Sequence, residues 1–147
     1  MAVFVADEQD RPVDVDDLAA LARHVLTTRR IPPDMELSVL LVDEETIRGL
    51  NRHHLGHDEP TDVLAFPIDA PGESAKDGPS VLGDVVLCPA VAERQAGEHG
   101  RPMPDELRML TVHGILHLLG MDHDGPEEER AMFGLTDQLL GSFGGAS

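Results

Sequence analysis

Apolar and polar residues change rhythm several times along this chain, and each change predicts an element. AVFVA at residues 2 to 6 alternates weakly, at the period of a strand. Asp14 stands before residues 15 to 29, where Leu18, Leu21, Val25 and Leu26 recur at helical spacing. An aspartate in that place caps a helix. ELSVLLV, residues 36 to 42, is a short apolar run suited to a buried strand. Asp43 then caps a second short helix that turns Ile47 and Leu50 inward.

DVLAFP, residues 62 to 67, reads as a strand stopped by Pro67. Residues 69 to 80, DAPGESAKDGPS, are dense in Gly, Pro and Ser and are expected to form a mobile loop. LGDVVLC, residues 82 to 88, is another strand, and the loop before it suggests antiparallel pairing with DVLAFP. Pro89 suits the first turn of a helix ending near Gln95 or Ala96. Residues 105 to 119 are apolar at nearly every position, the mark of a buried helix. Gly125 and Pro126 open the last helix, with Met132, Phe133, Leu135, Leu139 and Leu140 expected inside and a frayed tail over 142 to 147. The order β-α-β-α-β-β-α-α-α predicts an α+β fold: one domain, with a small mixed sheet of about four strands and helices packed around it.

The 147 residues suit a single core spanning 1 to 147. No apolar run approaches the roughly 20 residues that span a bilayer, so no membrane partner is expected. MAVFVADEQD has neither a basic start nor a cleavage motif, and is not read as a signal peptide. Cys88 is the one cysteine, which excludes an intramolecular disulfide; it is expected to pack in the sheet. These features suggest a cytoplasmic protein. The net charge of −17 repels nucleic acid at long range, so phosphate affinity would need a local patch. Tyr and Trp are absent, leaving four Phe, His or Arg for base stacking. Composition alone argues against a nucleic-acid binder.

HGILHLLGMDHD, residues 113 to 124, changes that picture. His113 and His117 lie four apart in the buried helix, so both rings project from one face, with Cβ atoms roughly 6 Å apart. Gly120 ends the helix cheaply, and the chain turns back to deliver His123. Three imidazoles with a fourth position open describe a catalytic metal site at the end of a buried helix. Zinc is the first choice, with nickel or copper possible in vitro. The alternative, three core histidines satisfied by other bonds, leaves costly buried rings, at roughly 1–3 kcal/mol per unsatisfied group. Asp122 or Asp124 can accept a ligand's ring N–H, or Asp124 can cap the last helix.

His113, His117, Gly120 and His123 match the metzincin pattern H-E-x-x-H-x-x-G-x-x-H, except that Gly114 replaces the general-base glutamate. The nearest carboxylates of the helix, Asp105 and Glu106, lie two turns upstream. Peptide hydrolysis by that route is disfavoured. HGILHLLGMDHD is instead similar to the H-G-x-L-H-L-x-G-[YHM]-D-H signature of the YbeY family, bacterial endoribonucleases of ribosomal RNA maturation. PTDVLAFP, residues 60 to 67, resembles the family's P-T-D-V-L-S-F-P, with Ala65 for serine. LGDVVLCPAVAERQA, residues 82 to 96, looks like its L-G-D-I-x-I-C-x-x-x-A-x-x-Q-A.

The resemblance spans roughly residues 35 to 140 and implies that His113, His117 and His123 hold zinc. It also implies a substrate of single-stranded or ribosomal RNA, partnership with the ribosome or its proteins, a role in rRNA maturation and ribosome quality control, and no DNA substrate. Thr61 and Asp62 match family positions near the cleft, although both can simply shape the turn into the strand. The family pattern L-N-x-x-x-R-G is met by Leu50, Asn51 and Gly56, but Leu55 occupies the arginine position. Arg52 lies three residues earlier, so either it reaches the cleft or phosphate is held differently; it can also be a solvated helix-end residue. Asp62, Arg52 and Asp122 are the candidates for catalytic roles, with the base unassigned. Zinc on three neutral imidazoles brings a water's pKa near 7, which lets the metal absorb most of the base role; attack by the RNA 2′-hydroxyl is equally open. Two alternatives stand beside this reading. One is a zinc hydrolase of peptides or small substrates, the other a non-catalytic, metal-stabilised ribosome-assembly factor.

Overall fold

Asp14 accepts the Asp17 amide through Oδ1 at 3.1 Å, and α1 (Val15–Thr28) begins there. Asp43 repeats the device for α2 (Glu44–Leu55), accepting the Thr46 amide at 2.8 Å. Both caps satisfy amides that the first helical turn leaves without partners. The structure is a computed structural model, and it describes residues 2–69, 80–121 and 125–145.

Four strands make one mixed sheet in the order β1-β2-β4-β3: β1 (Ala2–Glu8), β2 (Met35–Val42), β3 (Val63–Pro67) and β4 (Ser80–Leu87). β1 and β4 both pair parallel to β2, while β3 pairs antiparallel to β4, as the loop between them suggested. Asp69 and Val81 extend that pairing by two bonds, an Asp69 amide to the Val81 carbonyl and a Val81 amide to Asp69 Oδ2. Residues 70 to 79, the greater part of the expected loop, lie outside the described residues.

The sheet buries its two faces unequally. On the larger side, Leu37, Val39 and Leu41 of β2 and Val85 and Leu87 of β4 meet the apolar stripe of α1, the long α4 (Met103–Leu118) and α5 (Pro126–Gly145). On the other side Val42, Leu64 and Val86 gather with Ile47 of α2 and the start of α3 (Pro89–His99). Alternation along the strands sends successive side chains to these two cores. Cys88 is fully buried where β4 passes into α3, and burial pushes its thiol pKa up, so it packs rather than reacts.

Several boundaries differ from the sequence expectation. α3 continues to His99 and stops at Gly100, whose φ of 68° is the left-handed conformation glycine adopts at a helix end. α5 continues through residues 142 to 145, where fraying was expected, because Phe143 packs on the core and Ser142 Oγ lies 2.7 Å from His24 Nε2. Phe133, expected inside, is 46% exposed, while Met132 and Leu139 of the same helix are buried. Glu106, at the start of α4, is fully buried and satisfied by Arg101 at 2.6 Å and His99 at 3.1 Å.

Candidate metal centre and its cleft

α4 ends in a tight reversal. The Gly120 amide donates to the His117 carbonyl at 3.1 Å, and the Met121 amide to the Leu116 carbonyl at 3.0 Å. With Gly120 at φ 94°, this is the 6→1 and 5→2 pair of a Schellman turn. The chain is thus turned back directly after His117. Asp122, His123 and Asp124 lie outside the described residues.

His113 and His117 project from one side of α4 into a cleft of about 640 Å³ that Asp62, β3, the end of α2 and Met132 also line. The His113 Nε2 atom is fully buried, whereas His117 is exposed. The Phe133 ring stands 4.8 Å from that of His113. Two imidazoles one helical turn apart, opening on the same cavity, are a donor set that fits a borderline ion such as zinc. Among the described residues no group of three His, Cys, Asp or Glu converges as a ligand set, so Asp62 shares the cleft without joining the histidines.

Asp62 has local work as well. Its Oδ1 accepts the Val63 amide at 2.7 Å and the Thr61 hydroxyl at 3.3 Å, while its carbonyl accepts the Cys88 amide at 3.0 Å. Asp62 therefore both shapes the turn and faces the cleft, whereas Thr61 bonds to Asp62 and does not line the cleft. Leu55 lines the cleft, and so does His54, whose ring lies 4.8 Å from that of Phe66. Arg52 does not line it. It is exposed on α2, and its charge helps hold the Asp58 carboxyl below its usual range, after the larger effect of the Arg48 bond. Periodicity places Phe66 in a strand and Phe133 in the core; the structure sets Phe66 in the cleft wall and Phe133 against the His113 ring, contacts that no local pattern signals.

Gly114 answers why no glutamate follows the first histidine. A Cβ at this position would stand 2.6 Å from Val85 Cγ1 and 3.3 Å from Val63 Cγ2. Gly114 lies at the floor of the cleft, where the helix presses on the sheet, and a larger residue there must displace Val85.

Residues 4–144 match the family model described as Endoribonuclease YbeY. The chain belongs to the YbeY family. It is 50% identical to Endoribonuclease YbeY of Salinispora tropica, across 97% of this chain and 96% of that protein. It is also 50% identical to the Thermobifida fusca protein of the same name, across 95% and 92% respectively. Among solved structures, TM1509 of Thermotoga maritima shares the fold, with a TM-score of 0.62 and 26% identity over 98% of this chain and 93% of that one. The YbeY family match agrees with the three segments that suggested it in the sequence.

Proposed function

We propose that this chain is a zinc-dependent endoribonuclease that cuts single-stranded RNA in ribosomal RNA maturation and ribosome quality control, in the cytoplasm and in contact with the ribosome. The observation that carries the reading is the meeting of His113, His117 and Asp62 in one cleft of a YbeY-family chain. His113 and His117 would hold the ion from α4, and His123 would join them past the Schellman turn. When bound, zinc supplies Lewis acidity and brings a water's pKa to about 7. Asp62 offers a carboxylate at the cleft to orient a water or ribose hydroxyl. The His54–Phe66 wall and Leu55 present apolar and ring surfaces that exclude water and receive bases.

Gly114 weighs against the peptide-hydrolase alternative, because it supplies no carboxylate where the metzincin pattern has its general base. The decisive experiment is cleavage of a labelled single-stranded RNA by purified wild type beside His117→Ala prepared identically. Cutting by the wild type, abolished by the substitution and by a chelator, supports the proposal. Chelator-insensitive cutting, or equal cutting by both proteins, refutes it. No cutting by a zinc-loaded wild type moves the reading to the assembly factor.

A further inference from the structure

β3 is an edge strand, and its ladder to β4 fixes which of its backbone groups face outward. The Cys88 amide donates to the Asp62 carbonyl and the Ile68 amide to the Leu82 carbonyl, each at 3.0 Å. Between them the register runs from Val63 opposite Leu87 to Pro67 opposite Gly83. Bonding alternates along an antiparallel pair. Residues 62, 64, 66 and 68 therefore bond to β4, while Val63, Ala65 and Pro67 turn their backbone groups to the open edge. Pro67 has no amide to leave unpaired there, which is where an edge tolerates proline. The Val63 amide is taken by Asp62 Oδ1 at 2.7 Å. Within β3, Ala65 thus carries the outward amide that remains for a ligand.

That edge is no ordinary solvent-facing rim. Residues 62 to 67 line the same cleft as His113 and His117, and among the described residues no strand pairs with it. Exposed edges are usually blunted by charge or covered. Here the edge is flanked by Phe66, turned toward α2 with its ring 4.8 Å from His54. One outward amide and a row of carbonyls beside ring faces suit a polymer that offers oxygens, hydroxyls and flat bases in alternation.

We propose that single-stranded RNA lies along the open edge of β3, with the Ala65 amide donating to an RNA oxygen and a base stacked on the His54–Phe66 pair. This rests on the endoribonuclease reading. It accounts for how a chain of net charge −17 holds RNA although Arg52 stays out of the cleft lining: a neutral amide and stacking rings need no arginine row. Weak salt dependence follows, because salt sensitivity counts the phosphates neutralised by Lys and Arg.

The test is steady-state cleavage of a labelled ten-nucleotide RNA by the zinc-loaded full chain. Ala65→Pro deletes the amide, His54→Ala and Phe66→Leu remove the rings, and Phe4→Ala on the opposite edge strand is the control. Ala65→Pro is expected to raise KM about tenfold with a much smaller change in kcat, as loss of one hydrogen bond near 1.4 kcal/mol requires. Each ring substitution raises KM about fivefold or more. Zinc content and the circular dichroism spectrum stay as in the wild type. The logarithm of 1/KM falls against the logarithm of salt with a slope no steeper than about −1. Should Ala65→Pro fail to fold, the two ring variants and the salt slope decide. Wild-type KM in every folded variant, or a slope of about −3, overturns the track. A wild type that cuts no RNA overturns the endoribonuclease reading at the first step, before any variant is compared.

Discussion

The His113 ring meets Phe133 edge-on, with centroids 4.8 Å apart and planes at 72°. A side chain of α5 thereby restrains the first site histidine of α4. Phe133 is 46% exposed, so its packing contributes little to the core. Edge-to-face pairs are worth about 0.5–1.5 kcal/mol beyond their buried area. Phe133→Ala should therefore weaken zinc binding about two- to tenfold, measured by competition with a chromophoric chelator, while the thermal midpoint moves little. A large drop in the midpoint with unchanged zinc affinity would make Phe133 a packing residue only.

Gly114→Ala should cost roughly 1–3 kcal/mol, because the added methyl group presses on Val85 in a close-packed sheet-to-helix contact. Urea unfolding of the two proteins gives the difference directly. A neutral substitution would mean that α4 can lift from the sheet, and with it the histidines.

Arg101 and Glu106 should respond unequally. Removing Arg101 leaves a fully buried carboxylate with His99 as its remaining side-chain partner, whereas removing the charge of Glu106 leaves Arg101 and His99 side chains that are 40% and 49% exposed. Arg101→Ala is expected to cost about 3 kcal/mol and Glu106→Gln distinctly less. Equal losses in urea would contradict this account of the turn between α3 and α4.

Mild acid should loosen α2, the helix that carries His54. Asp43 is held below the usual carboxylate range by its bonds to Thr46, Glu44 chiefly by its bond to Arg94, and Asp58 chiefly by its bond to Arg48. A depressed folded-state pKa contributes stability above the unfolded value and loses it as the pH falls through the folded one. The thermal midpoint is thus expected to fall from about pH 4.5 downward, through and below the ordinary carboxyl values. Asp43→Asn should flatten part of that fall. An unchanged slope would show that the cap does not couple to proton binding.

The element order was legible because periodicity, caps and turn residues act over a few neighbours: Asp14, Asp43, Pro89 and Gly120 each do what their local sequence implies. What the sequence could not show depends on distant partners. β4 lies between β2 and β3, a placement decided by which strands bury each other's faces. Phe133 follows the buried Met132, and only the position of His113 across the helix pair explains why it stays outside. On α2, His54 comes two positions after Arg52, enough rotation to put one on the solvent side and the other on the cleft. The histidine spacing itself was plain, since one helical turn sets it.

All four strands lie within residues 2 to 87, and both described site histidines lie beyond them. A chain emerging from N- to C-terminus therefore presents every strand before either of these histidines. The face of β2 and β4 that α4 will cover must wait, apolar and bare, for residues 103 to 118 to arrive. An ion taken up at the proposed site would meet a chain whose strands have already been synthesised. It would then be a late guest of the fold, in contrast to small zinc domains that stay unfolded until metal binds. Stripping the ion should then silence the cleft while leaving the sheet standing.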